Sequence, residues 1–137
     1  MVRLLCGAGA DANATHPDVT AALCVASFHG HVEVVRFLYN ACGNKIVAGT
    51  DGSTPLNVAS RKGHLEVVRF LCDAGADKNH ADRNGRTPLC NASCLDHLEV
   101  VRFLCNARAD ANQATDDGRT PLEVACTQGH LYVACVL

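Results

Sequence analysis

A segment of this chain returns every 33 residues, and that period restricts the folds open to it more than any other feature. Leu23, Leu56, Leu89 and Leu122 stand 33 residues apart. The same offset carries Gly30-His31-Val32-Glu33-Val34-Val35-Arg36-Phe37-Leu38 onto Gly63-His64-Leu65-Glu66-Val67-Val68-Arg69-Phe70-Leu71. It continues to Asp96-His97-Leu98-Glu99-Val100-Val101-Arg102-Phe103-Leu104 and then to an altered copy, Gly129-His130-Leu131-Tyr132-Val133-Ala134-Cys135-Val136-Leu137. A fixed period of this length marks a solenoid, in which each unit buries its apolar face against its neighbours. Such an architecture offers a long surface rather than a deep pocket.

Within one period the residues read as two helices and a turn. Thr54-Pro55, Thr87-Pro88 and Thr120-Pro121 place a capping hydroxyl before a proline suited to the first helical position. An inner helix follows, with alanine recurring at Ala26, Ala59, Ala92 and Ala125, small enough for helices to stack closely. Gly63 stops it, and an outer helix is expected from about Leu65 to Asp73, with Val67, Val68 and Leu71 on one stripe. Gly75 ends the outer helix. Asp51-Gly52, Asn84-Gly85 and Asp117-Gly118 are two-residue hairpin signals, which gives each unit a short β-hairpin finger. The expected units are residues 12–44, 45–77 and 78–110, preceded by part of a unit (1–11) and followed by a shortened one (111–137), all in one array.

Thr87-Pro88-Leu89, Gly63-His64-Leu65-Glu66-Val67-Val68 and Gly75-Ala76-Asp77, in fixed phase across several copies, resemble the ankyrin repeat over essentially the whole chain. The resemblance implies an all-α solenoid of stacked helix pairs with projecting fingers and a concave groove that binds proteins. The chain also departs from that pattern. The histidine that follows Thr-Pro-Leu in the family is Cys24, Asn57, Cys90 and Glu123 here, so its bond to the threonine is lost or altered. In the first full unit Ala21-Ala22 replace Thr-Pro and Val19 replaces the finger glycine. Cys42 and Arg108 stand where Gly75 does, and a non-glycine residue at positive φ costs about 1 kcal/mol. Ile46 and Val47 stand where the next finger has Asn79 and His80. The first unit is therefore the least regular.

Composition narrows the function. The net charge of −2 and the scarcity of aromatics disfavour nucleic-acid binding, although the central arginines keep it as a remote alternative. No apolar run approaches the ~18 residues of a membrane span, so no membrane insertion is expected. Nine cysteines, an odd number in a chain without a recognisable secretory leader, read as reduced thiols in an intracellular, cytoplasmic setting. Cys6, Cys72 and Cys105 share a column with Tyr39. Neighbouring helices pack about 8–10 Å apart, beyond the roughly 7 Å that a disulfide spans. Cys90, Cys94 and His97 make an incomplete ligand set for zinc, and His97 already has an in-register role beside His31, His64 and His130. Gly7-Ala8-Gly9-Ala10-Asp11-Ala12 fits a dinucleotide fingerprint formally, but at the end of a helix rather than before one. No cofactor, no small-molecule substrate and no catalysis are expected.

Both ends read as interrupted units: Met1–Cys6 matches the later part of an outer helix, and Leu137 matches Leu104. The expectation is an interaction module within a longer protein; the alternative is the substrate-recognition segment of a larger enzyme such as a ubiquitin ligase or kinase. Partners in the family mostly touch the finger tips and the exposed end of the inner helix. In this sequence the finger tips are Thr50, Asp51, Ser53, Arg83, Asn84, Arg86, Asp116, Asp117 and Arg119. The helical positions are Phe28, His29, Arg61, Lys62, Cys94, Leu95, Thr127 and Gln128. With five of these basic, the expected partner is a protein segment of acidic or mixed charge.

Overall fold

A computed structural model describes residues 17–42, 48–49 and 51–137, apart from the side chains of Pro17, Asp18 and Cys42. The expectations for residues 1–11, Thr50, Ile46 and Val47 lie outside the described residues. Eight helices are present among those described: α1 (Pro17–His29), α2 (Val32–Cys42), α3 (Pro55–Lys62), α4 (Leu65–Asp73), α5 (Pro88–Cys94), α6 (Leu98–Asn106), α7 (Pro121–Gln128) and α8 (Leu131–Val136). The odd-numbered helices stack in an inner row, the even-numbered ones in an outer row, and each inner helix also packs on the outer helix that follows it.

The local chemistry sets the helix ends. Thr54, Thr87 and Thr120 are extended N-caps whose Oγ1 accepts from the backbone N–H three residues on, at 3.2, 3.2 and 3.3 Å. The side chains that replace the family histidine behave differently. Glu123 accepts from Thr120 N and completes a capping box, and Asn57 reaches forward to donate to Arg86 O at 3.4 Å. Cys90 contributes only its backbone N–H. The first inner helix is longer than expected, 13 residues against seven or eight in the others. Val19, standing where the later fingers have glycine, is buried within it. With helix-forming Ala21-Ala22 in place of Thr-Pro, the chain has no stop before Pro17 and continues as helix where the other units have a finger.

The fingers also differ from the expected two-residue hairpins. Asp82 N donates to Arg86 O and Gly85 N to Asp82 O, both at 2.9 Å, with Gly85 at φ 76°. The same two bonds recur between Gly49 N and Ser53 O and between Gly52 N and Gly49 O, and again between Thr115 N and Arg119 O and between Gly118 N and Thr115 O. Each tip is thus an i to i+3 turn followed by a left-handed glycine, a three-residue loop. Its flanks pair once, and no strand forms among the described residues. Tips are tied to one another: Arg83 N donates to Asp51 O and Asp116 N to Asn84 O, each at 3.1 Å. A Cβ on Gly85 would fall 2.6 Å from Asp116 N, so this close stacking needs glycine as much as the turn does.

The core runs continuously between the two helix rows. Leu23, Leu56 and Leu89 are buried, as are Ala26, Ala59, Ala92 and Ala125 below them and Val67, Val68 and Leu71 on the outer row. Glu33, Glu66 and Glu99 each precede an arginine by three residues, a spacing that suggests local ion pairs, but none forms among the described residues. Arg36 instead lies over the Phe70 ring, 5.0 Å from its centroid, and Arg69 over Phe103 at 5.6 Å, each joining one unit to the next. Arg108 takes φ 64°, the left-handed position expected of it, whereas Cys42 remains the last residue of α2.

Leu89 is fully buried while Leu122, in the same column, is 42% exposed. Leu89→Ala should therefore cost about 2–5 kcal/mol, and Leu122→Ala less than about 1.5 kcal/mol. Urea denaturation of the two variants measures the difference, and equal losses would show that this column does not form the core. Asn91 stands in a column otherwise occupied by Val25, Val58 and Val124, and its buried Nδ2 has no protein acceptor. Asn91→Val should raise stability by roughly 1 kcal/mol, read as a higher denaturation midpoint.

Candidate functional site

The inner-helix ends named above are built on one recurring bond. His64 Nε2 donates to Phe28 O at 2.8 Å, His97 Nε2 to Arg61 O at 2.8 Å, and His130 Nε2 to Cys94 O at 2.9 Å. A carbonyl only accepts, so each imidazole carries its proton on Nε2. The ring crosses directly over the preceding unit: a Cβ on Gly63 would fall 2.5 Å from His97 Nδ1. Where the glycine is replaced by Asp96, φ stays at 63° and the carboxylate lies 3.7 Å from His130 Nδ1. The main chain of Phe28, Arg61 and Cys94 is therefore scaffold, and only their side chains are available to a partner.

The named residues fall into two groups. Between the second and third fingers, Arg86 and Arg119 face Asp117, Cys94, Thr127 and Gln128 across a small cleft of about 60 Å³. A shallower depression of about 230 Å³, lined by Asn84, Arg86, Asp116 and Asp117, adjoins it at the tips. Thr115 donates its hydroxyl to the Asp117 carboxylate, which together with Arg119 Nε at 3.4 Å holds that carboxyl below the usual carboxylate range. Arg119 is thus partly neutralised by its neighbour. The guanidinium of Arg86 is exposed and, among the described residues, has no carboxylate within 4 Å; its backbone is pinned by Asp82.

The second group lies at the end of α1. Phe28 is 39% exposed, and Lys62 Nζ sits 4.3 Å above its ring. His29 meets the Phe28 edge at 5.0 Å and stacks on His31 at 5.9 Å. Arg61 is half-buried and close enough to Asp51 to lower its carboxyl pKa slightly, after the larger effect of the Ser53 N–H that the carboxylate accepts at 3.1 Å. Ser53 itself must be removed from the surface residues. It is 3% exposed because its backbone closes the first finger, accepting from Gly49 N and donating to Asp51. Arg83, Asn84 and Asp116 are exposed on their finger tips, and Leu95 is exposed just beyond α5. A cavity of about 400 Å³ lies among Tyr39, Leu56, Leu71 and Ala74, and none of the named residues lines it.

Chemically the depressions between the fingers are shallow and lined mainly by polar side chains. His97 is committed to Arg61 O, and no group of three or more metal-binding side chains converges among the described residues. No helix there is long and apolar enough to cross a membrane. Burial raises the thiol pKa of Cys24, Cys72 and Cys90 to about 11, and that of Cys105 upward. An unfolded thiol ionises near ~8.5. Above that pH the unfolded chain loses protons that the folded chain keeps, so stability is complete below about 8.5 and falls as pH rises toward about 11. The denaturation midpoint should decline across that window, and Cys24→Ala with Cys72→Ala should flatten the decline. An unchanged slope would mean other groups cause it.

The family model described as "Ankyrin repeats (3 copies)" matches residues 1–82 and 74–137. No curated protein matches the chain.

Proposed function

Since the chain belongs to the ankyrin-repeat family, whose members generally serve as protein–protein interaction modules and are typically non-catalytic, we propose that it is a binding module without catalysis, working in a reducing intracellular compartment. The groove between the second and third fingers is the partner site in this reading. The observation that carries it is the Arg86–Arg119 cleft: Asp117 pairs with Arg119, while Arg86 is held in place by its backbone and its guanidinium, though it also acts on the Asp117 carboxylate, has no carboxylate within 4 Å among the described residues. A planar guanidinium can take a carboxylate by two hydrogen bonds, and arginine is enriched at interface hot spots. Asp116 and Asp117 beside it suit a basic side chain. The best fit is a partner segment of mixed charge, with an acidic residue on Arg86, and Phe28 with Lys62 supplies a second, more apolar contact farther along the inner row.

Arg86→Glu with Arg119→Glu should abolish recovery of the partner from lysate without changing the circular dichroism. Arg102→Glu, on the outer row, should leave recovery intact. Loss of recovery with the outer-row change alone would place the functional surface on the convex face.

A further inference from the structure

Asn84 is the one asparagine in the sequence followed by glycine. Its side chain is exposed at the tip of the second finger, and no hydrogen bond engages its amide among the described residues. The next residue has no side chain to shield its backbone nitrogen. In the two fingers either side, the corresponding residue is already an acid, Asp51 and Asp117. We propose that Asn84 is a deamidation site, gated by the finger's own hydrogen bonds, whose aspartyl product gives the central tip the same charge as its neighbours.

The reaction needs only water. The Gly85 backbone nitrogen gives up its proton to base and bonds to Cγ of Asn84. The Cγ–Nδ2 bond breaks, and the nitrogen takes up a proton and leaves as ammonia. Water then opens the five-membered imide. Cleavage of the new Cγ–N bond gives aspartate. Cleavage on the other side, at the former backbone carbonyl, gives the isoaspartyl form, in which the chain runs through the side-chain carbon.

The fold sets the rate. Gly85 N is tied to Asp82 O at 2.9 Å, and Asn84 O accepts from Asp116 N at 3.1 Å. Asp82 Oδ1 also accepts from Asn84 N at 2.9 Å and Arg86 N at 3.1 Å. Attack requires the tip to open, so it draws on local opening rather than on the folded geometry. The aspartyl product fits the register, because Asp51 and Asp117 occupy it with the same left-handed glycine after them. The isoaspartyl product does not, since the lengthened path displaces the carbonyl that pairs with Asp116 N. The new charge stands two residues from Arg86. This chemistry is independent of the function proposed above; only its effect on a bound partner rests on that reading.

The test is incubation of the purified protein at mildly alkaline pH, with fragment mass spectrometry to locate the amide-to-acid mass gain. The gain should map to Asn84, accelerate several-fold in Asp82→Ala, run fastest in urea, and vanish from that fragment in Asn84→Gln. Asn84→Asp should keep the parent's thermal midpoint. A gain confined to other asparagines would overturn the site, and equal rates in the parent, Asp82→Ala and urea would overturn the gating. A lowered midpoint for Asn84→Asp would overturn the claim that the aspartyl form fits the finger.

Discussion

The bond from each unit's histidine to the carbonyl at the end of the preceding inner helix is the constraint on which the stack depends. Inner helices of seven or eight residues are too short to be stable alone. Their last carbonyls have no partner within the helix. His64, His97 and His130 supply a donor from the next unit, so the end of one helix is completed only when its successor is in place. The glycine beneath the ring serves both units: it terminates its own helix at positive φ and leaves room for the imidazole. Burial of leucine, valine and alanine drives association, but this corner determines the rotation and rise at which it occurs.

Two further kinds of tie join successive units. Arg36 and Arg69 lay their guanidinium groups on the ring one unit ahead, and Arg83 N and Asp116 N bond the finger tip behind them. On the finger side, Asn79 Oδ1 accepts from Asp110 N at 2.8 Å, and His80 Nε2 donates to Gly52 O at 3.2 Å. Each contact links neighbours in the array only, so a defect is felt locally. Asp96 illustrates the tolerance: a side chain at positive φ loses the glycine's conformational ease, yet its carboxylate is accommodated 3.7 Å from His130 Nδ1 and the bond to Cys94 O is kept.

Much of this was legible in the sequence because a period turns local signals into repeated ones. The cap threonines, the alanine and leucine columns and the outer helix Leu65–Asp73 are where the spacing put them. What was not legible depends on contacts between units. A glutamate three residues before an arginine suggests a pair within one helix, whereas the ring that Arg69 covers is 34 residues away, at Phe103. Asn-Gly reads alike in a two-residue and a three-residue loop, and only the bond between Asp82 N and Arg86 O separates them. Ser53 looks like an ordinary finger residue, but its backbone closes the turn and takes the side chain inward. Extension of α1 through Val19 was foreshadowed by the missing glycine and the missing Thr-Pro, which together leave the helix without its stop signal.

The division between fixed and variable positions bears on function. Positions that hold the stack mostly repeat their chemistry: histidine to carbonyl, threonine to N–H in every described unit but the first, and leucine and alanine in the core apart from the partly exposed Leu122. Residues at the inner-helix ends and tips change from unit to unit, from Phe28 to Arg61 to Cys94 to Thr127 at one register, and from Ser53 to Arg86 to Arg119 at another. At the first of these registers the scaffold takes the main-chain carbonyls of Phe28, Arg61 and Cys94, while side chains make only local contacts, such as Lys62 over the Phe28 ring and Thr127 Oγ1 donating to Glu123 O. At the second, the same backbone bond closes every finger, while the side chain is buried serine in one and exposed arginine in the next two. A surface that varies on a frame that does not is suited to recognising one extended partner through different chemistry at each step, and the two arginines make its centre the part best suited to carboxylates.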